Sequence, residues 1–191
     1  MRLAHAAFIL ALSLAAGCAH QVTFDKPETY VVSGARQNAG VTAVIEPATL
    51  TNKVPIRSLM AGAAHSWEVE PGDMLKQVAD IELPQMFAQY KSASEYAEPA
   101  PGPRWVVLEL AIPSYAFEEF HAIVSVKATA YERGRKVLLQ KTYRAEGEAQ
   151  GAKMFWAGAF GMKSAIRQSS LDAFRKVFAE LRADLGAALA R

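Results

Sequence analysis

Residues 105–145 read WVVLELAI at 105–112, HAIVSVKATAYE at 121–132 and KVLLQKTYRA at 136–145. In the first two segments apolar side chains alternate with polar or small ones, as in strands whose two faces meet different surroundings. Arg133-Gly134-Arg135 provides a short turn between the second and third segments, which is a β-hairpin signal. These residues therefore predict a three-stranded antiparallel meander.

Two helices are predicted, one before this meander in the sequence and one after it. The first begins near Asp73, with Pro84 expected to kink or end it. The second is C-terminal, and its apolar residues recur at steps of three or four: Leu171, Phe174, Phe178, Leu181, Leu185 and Leu189. With a further strand expected at 41–46 and another near 54–59, the sequence predicts an α+β fold. We expect an antiparallel-rich sheet of three to five strands with two helices packed on one face.

The first 17 residues differ from the rest of the chain. Met1 and Arg2 form a short positive start, and residues 3–16 are apolar except for His5 and Ser13. This pattern indicates a signal peptide, and it is shorter than the roughly 20 apolar residues that a membrane span needs. We expect a signal peptide at 1–17, a flexible tether with a short strand at 30–32 within residues 18–40, and a single α+β domain at 41–191.

The run Leu14-Ala15-Ala16-Gly17-Cys18 resembles the lipobox of bacterial lipoproteins. The resemblance implies cleavage before Cys18 and a diacylglyceryl group on its thiol. Lipidation would also protect a lone thiol in an oxidising compartment. Ala19 follows, where Asp favours the inner membrane in enterobacterial lipoproteins, so Ala19 favours the outer membrane. The alternative is ordinary signal cleavage after Gly17, which would leave Cys18 as a free thiol.

Composition excludes several classes of function. The chain has 191 residues, with 21 Lys and Arg against 19 Asp and Glu, and one cysteine. The charge balance does not provide the concentrated positive surface that binds nucleic acid, so we expect no such partner. One cysteine excludes an intramolecular disulfide and a multi-cysteine metal site.

No sequence motif specifies a reaction. None of the histidines has a ligand partner at metal-site spacing, so we expect no metal and no cofactor. The segment 158–164 differs from a phosphate-binding loop, because Met162 stands where glycine must precede Lys-Ser. A nucleophile elbow is also missing from the sequence. We therefore expect that the protein is not an enzyme and has no catalytic residues.

An uncharged stretch at 154–162 contains Phe155, Trp156 and Phe160. One interpretation is an N-terminal extension of the last helix, packed on the core. The other is a patch that docks a protein partner or faces a membrane, because exposed apolar patches commonly mark interfaces.

The chain resembles small Gram-negative envelope lipoproteins, such as YajG-like proteins and the auxiliary lipoproteins of ABC transporters. The similar segments are 67–71 followed by Leu75, 106–112, 143–146 and 173–177. The resemblance implies a lipid-anchored, non-enzymatic protein at the outer membrane, facing the periplasm. Such a protein would bind an envelope partner in envelope biogenesis or lipid transport. The alternative is a soluble periplasmic protein that holds a small apolar ligand between sheet and helices.

Overall fold

The computed structural model describes residues 18–24, 29–57, 65–99 and 104–191, with side chains described for all of these except 18–19, 65 and 152–160. The predicted signal peptide at 1–17 lies outside the described residues. The described strands are β1 Cys18–Val22, β2 Gln37–Ile45, β3 Val54–Arg57, β4 His65–Val69, β5 Phe87–Ala93, β6 Trp105–Glu118, β7 His121–Tyr131 and β8 Val137–Glu146. The described helices are α1 Pro47–Thr51, α2 Pro71–Met86 and α3 Gly151–Leu189.

The larger sheet has five strands in the order β5-β2-β6-β7-β8. Strands β6, β7 and β8 form the predicted antiparallel meander, while β2 pairs in parallel with both β5 and β6. The α+β fold class is confirmed. Strand β6 continues past Pro113, although proline has no N–H to donate to a neighbouring strand. The register shifts between Ala111 and Ser114, and such a bulge accommodates a residue that has no N–H to donate.

Both long helices cover one face of this sheet. Helix α2 contacts β2, β5 and β6, helix α3 contacts β7 and β8, and the two helices contact each other. Helix α2 begins at Pro71 with Glu70 as its N-cap, so Asp73 lies in the first turn and is not the cap. Pro84 lies inside α2, which ends two residues later, as the missing N–H predicts.

Apolar side chains fill the space between helices and sheet. On the sheet, every second residue of the central strands points to this side, as the alternation predicts. Helix α3 contributes all members of the predicted stripe except Leu171, which is only partly buried, and α2 contributes residues such as Leu75 and Leu83. Fully buried examples are Val41, Val106, Leu108, Leu110, Val124, Val126, Ala128, Leu75, Leu83, Phe174, Phe178 and Leu181.

A second, three-stranded sheet with the order β1-β4-β3 was not predicted. Strand β1 lies within the expected tether, and Val22 and Phe24 are buried in the core. The tether prediction is therefore wrong for these residues, because apolar side chains there pack on the domain. Trp67, in the segment before the predicted first helix, belongs to β4 and is buried.

Residues 30–32 do not form the predicted strand, although they are fixed to the fold. The Gln85 side-chain amide on α2 donates to the Tyr30 carbonyl at 3.0 Å and accepts from the Val32 N–H at 2.9 Å. One side chain thus replaces the partner strand that this backbone lacks. These two hydrogen bonds attach residues 30 and 32 to α2.

Candidate functional site

A cleft of about 470 Å³ lies on the face of the five-stranded sheet that the helices leave open. Its lining alternates along the strands with core residues: Glu109 and Ala111 line the cleft, whereas Leu108 is buried under the helices. Four strands and the segment after β5 contribute to the lining. The lining residues are Val44, Glu46, Pro47, Ser94, Glu95, Tyr96, Glu109, Leu110, Ala111, Lys127, Thr129, Tyr131, Arg135 and Gln140.

The wall of the cleft is a segment at residues 94–98, here called the crossing segment. It follows the edge strand β5 and reaches the turn between β7 and β8. The Tyr96 and Tyr131 rings meet edge to face, with centroids 5.9 Å apart and an interplanar angle of 85°. The Arg135 guanidinium lies 4.2 Å from the centroid of the Tyr96 ring. Edge-to-face and cation–π contacts are both attractive, so the crossing segment is held over the sheet.

Glu98 completes this attachment. Its carboxylate accepts a hydrogen bond from the Tyr96 hydroxyl at 2.7 Å and another from the Gly134 backbone N–H. These hydrogen bonds hold the pKa of Glu98 below its ordinary value, the Gly134 N–H having the largest effect. The contact joins two segments that are far apart in the chain.

The backbone of the β7–β8 turn is shaped for these contacts. Gly134 has φ of 73° and Arg135 has φ of 53°, both in the left-handed region. Glycine adopts this region without steric cost, whereas arginine does so only when its surroundings favour it. The turn thereby presents the Gly134 N–H to Glu98 and the Arg135 guanidinium to Tyr96.

The cleft combines charged groups with phenolic surface. Glu46, Glu95 and Glu109 provide carboxylates, and Lys127 and Arg135 provide cations. Burial, followed by the adjacent Glu109 carboxylate, raises the pKa of Tyr131, because both disfavour the phenolate. A lining of this kind can hydrogen-bond and stack on a polar ligand, and its volume falls within the usual range for small-molecule sites.

A second polar cluster lies on the helix side of the molecule. Glu82 of α2 and Arg182 of α3 form an ion pair in which Glu82 is almost fully buried. Arg182 also donates to the Ser33 carbonyl at 2.5 Å. Tyr30 lies beside this pair with the Arg175 guanidinium 4.2 Å from its ring centroid, and burial together with Glu82 raises its pKa. The cluster fixes residues 30–33 to both helices, which is a structural role.

The residues predicted from sequence lie elsewhere. Cys18 is the first residue of β1, with its side chain outside the described part. Phe155, Trp156 and Phe160 belong to α3, and their side chains also lie outside the described residues, so the docking prediction is not tested. Within the described ranges no helix has the length and apolarity of a membrane span, and no three potential ligands gather as a metal site would require.

The cleft was missed because no short motif encodes it. Its two tyrosines are 35 positions apart, since Tyr96 follows β5 and Tyr131 ends β7. The available signal was the polar face of β7, where Lys127, Thr129 and Tyr131 alternate with buried residues. That signal indicates an open face but not the segment that crosses it.

Comparisons with known proteins show similarities of shape at low sequence identity. No family model matches the chain, and no curated protein matches it. A DUF330-family protein from Xanthomonas campestris is 10% identical, with a TM-score of 0.48, over 91% of this chain and 99% of that one. A hypothetical protein from Chlamydia trachomatis is 12% identical, with a TM-score of 0.41, over 79% of this chain and 99% of that one. A candidate lipoprotein from Caulobacter crescentus is 14% identical, with a TM-score of 0.36, over 61% of this chain and 83% of that one. At these values the similarities carry no argument about function.

Proposed function

We propose that this chain is a lipid-anchored, non-enzymatic protein of the bacterial envelope that acts as a binding or assembly module in envelope biogenesis or lipid transport. In this proposal Cys18 carries a diacylglyceryl group and, after cleavage, an acyl chain on its new amino group. Two or more chains meet the requirement for stable membrane anchoring. The protein then sits at the outer membrane and faces the periplasm.

The observation that carries this proposal is the run Leu14-Ala15-Ala16-Gly17-Cys18, which resembles a lipobox and contains the chain's single cysteine. Strand β1 begins at Cys18 and pairs with β4 along its whole length, from Cys18–His65 to Val22–Val69. Cleavage before Cys18 would remove the signal sequence and leave every described strand intact. The described strands are therefore compatible with the cleavage that the lipobox resemblance implies.

A binding role is supported by the cleft under the crossing segment. The lining supplies hydrogen-bonding groups and aromatic surface. Several of its residues, such as Lys127 and Glu95, are exposed. Phe155, Trp156 and Phe160 remain the sequence-based candidates for docking an envelope protein. A substitution of Phe155 and Phe160 by Asp that leaves partner capture unchanged in a folded protein would remove them from the proposal.

The anchor is tested by expressing the full chain in a Gram-negative host and separating soluble, inner-membrane and outer-membrane fractions. We expect the parent protein in the outer-membrane fraction, with a lipid adduct on Cys18 in its intact mass. The Cys18→Ser variant should lose the adduct and move to the soluble fraction. Ala19→Asp serves as a matched variant, because it keeps Cys18 and should redirect the lipidated protein to the inner membrane. An unmodified Cys18 in a soluble parent protein would contradict the proposal.

The second candidate function is a soluble periplasmic protein that binds a small ligand. The cleft favours this candidate, but the ligand site would differ from the one predicted between sheet and helices. The space between helices and sheet is filled by side chains such as Leu108, Val124 and Phe174, so a ligand would lie on the open face. Native mass spectrometry of the purified Cys18→Ser protein tests this candidate: a co-purifying molecule that is lost in a Tyr96→Ala variant would support it.

A further inference from the structure

We propose that the cleft under the crossing segment binds a small zwitterion, a molecule that carries an ammonium group and a carboxylate or phosphate a few bonds apart. The ammonium group lies beside Glu46 and Glu95, and the oxyanion lies beside Lys127, all three of which line the cleft. The proposal rests on the binding role given to this cleft above, and it adds the chemical class of the ligand.

Strand register places Glu46 and Lys127 in one row across the open face of the sheet. Ile45 pairs with Leu110, and the Glu46 N–H donates to the Leu110 carbonyl at 2.9 Å, so Glu46 continues β2 and lies beside Ala111 of β6. Ala111 in turn pairs with Lys127 of β7. Neighbouring strands lie about 4.8 Å apart, so the backbones of residues 46 and 127 are about 10 Å apart with Ala111 between them.

A second carboxylate belongs to the same row. Val44 pairs with Ala93 at the end of β5, so Glu46 and Glu95 each follow this last pair of the ladder by two positions. Residues 94 and 95 form the bend with which the crossing segment begins. The row therefore has two carboxylates on one side of Ala111 and an ammonium group on the other.

These three charges are not neutralised by the part of the fold that the structure describes. The ion pairs formed by the described residues all involve other side chains. Glu46, Glu95 and Lys127 are exposed, and Ala111 places only a methyl group between them. The row thus presents opposite charges on both sides of a gap that a short molecule can span.

The order of the charges selects one class of ligand. A simple anion is attracted by Lys127 but repelled by the two carboxylates, and for a simple cation the signs are reversed. A zwitterion is attracted at both of its ends when its ammonium group faces Glu46. The paired residues Thr129 and Gln140, which also line the cleft, add hydrogen-bonding groups next to this row.

The experiment titrates the purified Cys18→Ser protein with three small probes and follows its backbone amide resonances by NMR. The probe 4-aminobutanoate carries both charges, butylamine only the ammonium group and butanoate only the carboxylate. We expect a roughly tenfold lower Kd for 4-aminobutanoate than for either other probe, with the largest shifts near residues 46, 111 and 127. Titration with O-phosphoethanolamine then distinguishes the sources: tighter binding than 4-aminobutanoate supports a phospholipid headgroup, and weaker binding supports an amino acid.

Matched variants locate the site. Lys127→Gln should remove the preference for 4-aminobutanoate over butylamine. Ala111→Leu fills the gap and should weaken 4-aminobutanoate roughly tenfold. Ala116→Leu is the control, because Ala116 pairs with Ile123 on the same face of the sheet but does not line the cleft, and it should leave the Kd unchanged.

The outcomes separate this inference from the proposed function. Equal affinity for 4-aminobutanoate and butylamine, or no shift with any probe, would overturn the inference. A co-purifying molecule that is lost in Tyr96→Ala but lacks an ammonium group or an oxyanion would overturn it as well, and would leave the binding role of the cleft in place. The lipid adduct on Cys18 is measured independently of the cleft, so its absence would contradict the proposed anchoring whatever the probes show.

Discussion

The two faces of the five-stranded sheet come from the same strands but meet different surroundings. On the helix side, Leu108 and Val124 are fully buried and lie under α2 and α3. On the other side, Glu109 and Lys127 line an open cleft under the crossing segment. Adjacent residues of β6 lie on opposite faces, because successive side chains of a strand point to opposite sides.

The difference separates residues that hold the fold from residues that are available for binding. On the helix side the buried charge Glu82 is paired with Arg182, and apolar side chains fill the remaining space. In the cleft, exposed charges such as Glu95 and Lys127 are accessible to water and need no partner within the fold. Substitutions should therefore affect stability on the helix side and binding on the cleft side.

The largest loss of stability is expected when the ion pair between α2 and α3 is broken. Arg182→Ala leaves the Glu82 carboxylate buried without its partner, and it also removes the bond to the Ser33 carbonyl. Breaking a buried pair in this way costs about 3–5 kcal/mol in the free energy of unfolding. Urea unfolding followed by circular dichroism measures the loss.

A double variant provides the control for this prediction. Replacing both Glu82 and Arg182 by Leu removes the two charges together, so it should cost less than Arg182→Ala alone. If the double variant is the less stable of the two, desolvation of an unpaired Glu82 is not the cause.

The second prediction compares two neighbouring residues of β6 that point to opposite faces. Leu108→Ala opens a cavity under the helices and should lower the free energy of unfolding by about 2–5 kcal/mol. Glu109→Ala changes a side chain on the cleft face and should alter stability by only about 0.5 kcal/mol. The same urea experiment measures both variants. Equal losses would mean that the cleft face is as much a part of the packed core as the helix side.

The sequence predicts this division of the meander well, because alternation in β6 and β7 is a local property. The stripe from Leu171 to Leu189 similarly predicts the second half of α3. Strand β1 could not be predicted, since Cys18–Val22 is short and its stability depends on pairing with β4, 47 positions away in the chain. Strand β5 was missed because its first residue, Phe87, follows Met74, Val78, Ile81 and Met86 at roughly helical spacing in the sequence.

The candidate site was harder to predict than the fold. Its wall depends on Tyr96 contacting Tyr131 and on Glu98 contacting Gly134, and neither pair has a recognisable spacing. The turn propensity of Arg133-Gly134-Arg135 predicts a turn, but it does not indicate which distant carboxylate accepts a hydrogen bond from the Gly134 N–H. Cys18 is the opposite case: its lipidation is predicted from local sequence alone and stays a prediction.

The smallest expected effect concerns acid release of the crossing segment. Because the folded-state pKa of Glu98 lies below the ordinary value of 4.5, its contribution is present above that value and is lost as the pH falls through the depressed folded-state pKa. Protonation weakens the acceptor for the Gly134 N–H and the Tyr96 hydroxyl, so the segment should loosen from the β7–β8 turn in acid.

The measurement is the pH dependence of the Tyr96 and Tyr131 ring resonances by NMR. Glu98→Gln should show the loosened resonances already at neutral pH, and Glu132→Gln, which changes a carboxylate paired with Arg104 instead, should titrate like the parent protein. Acid-insensitive rings in the parent protein would show that the aromatic and cation–π contacts hold the segment without Glu98, in which case the cleft keeps its wall at every pH at which the domain is folded.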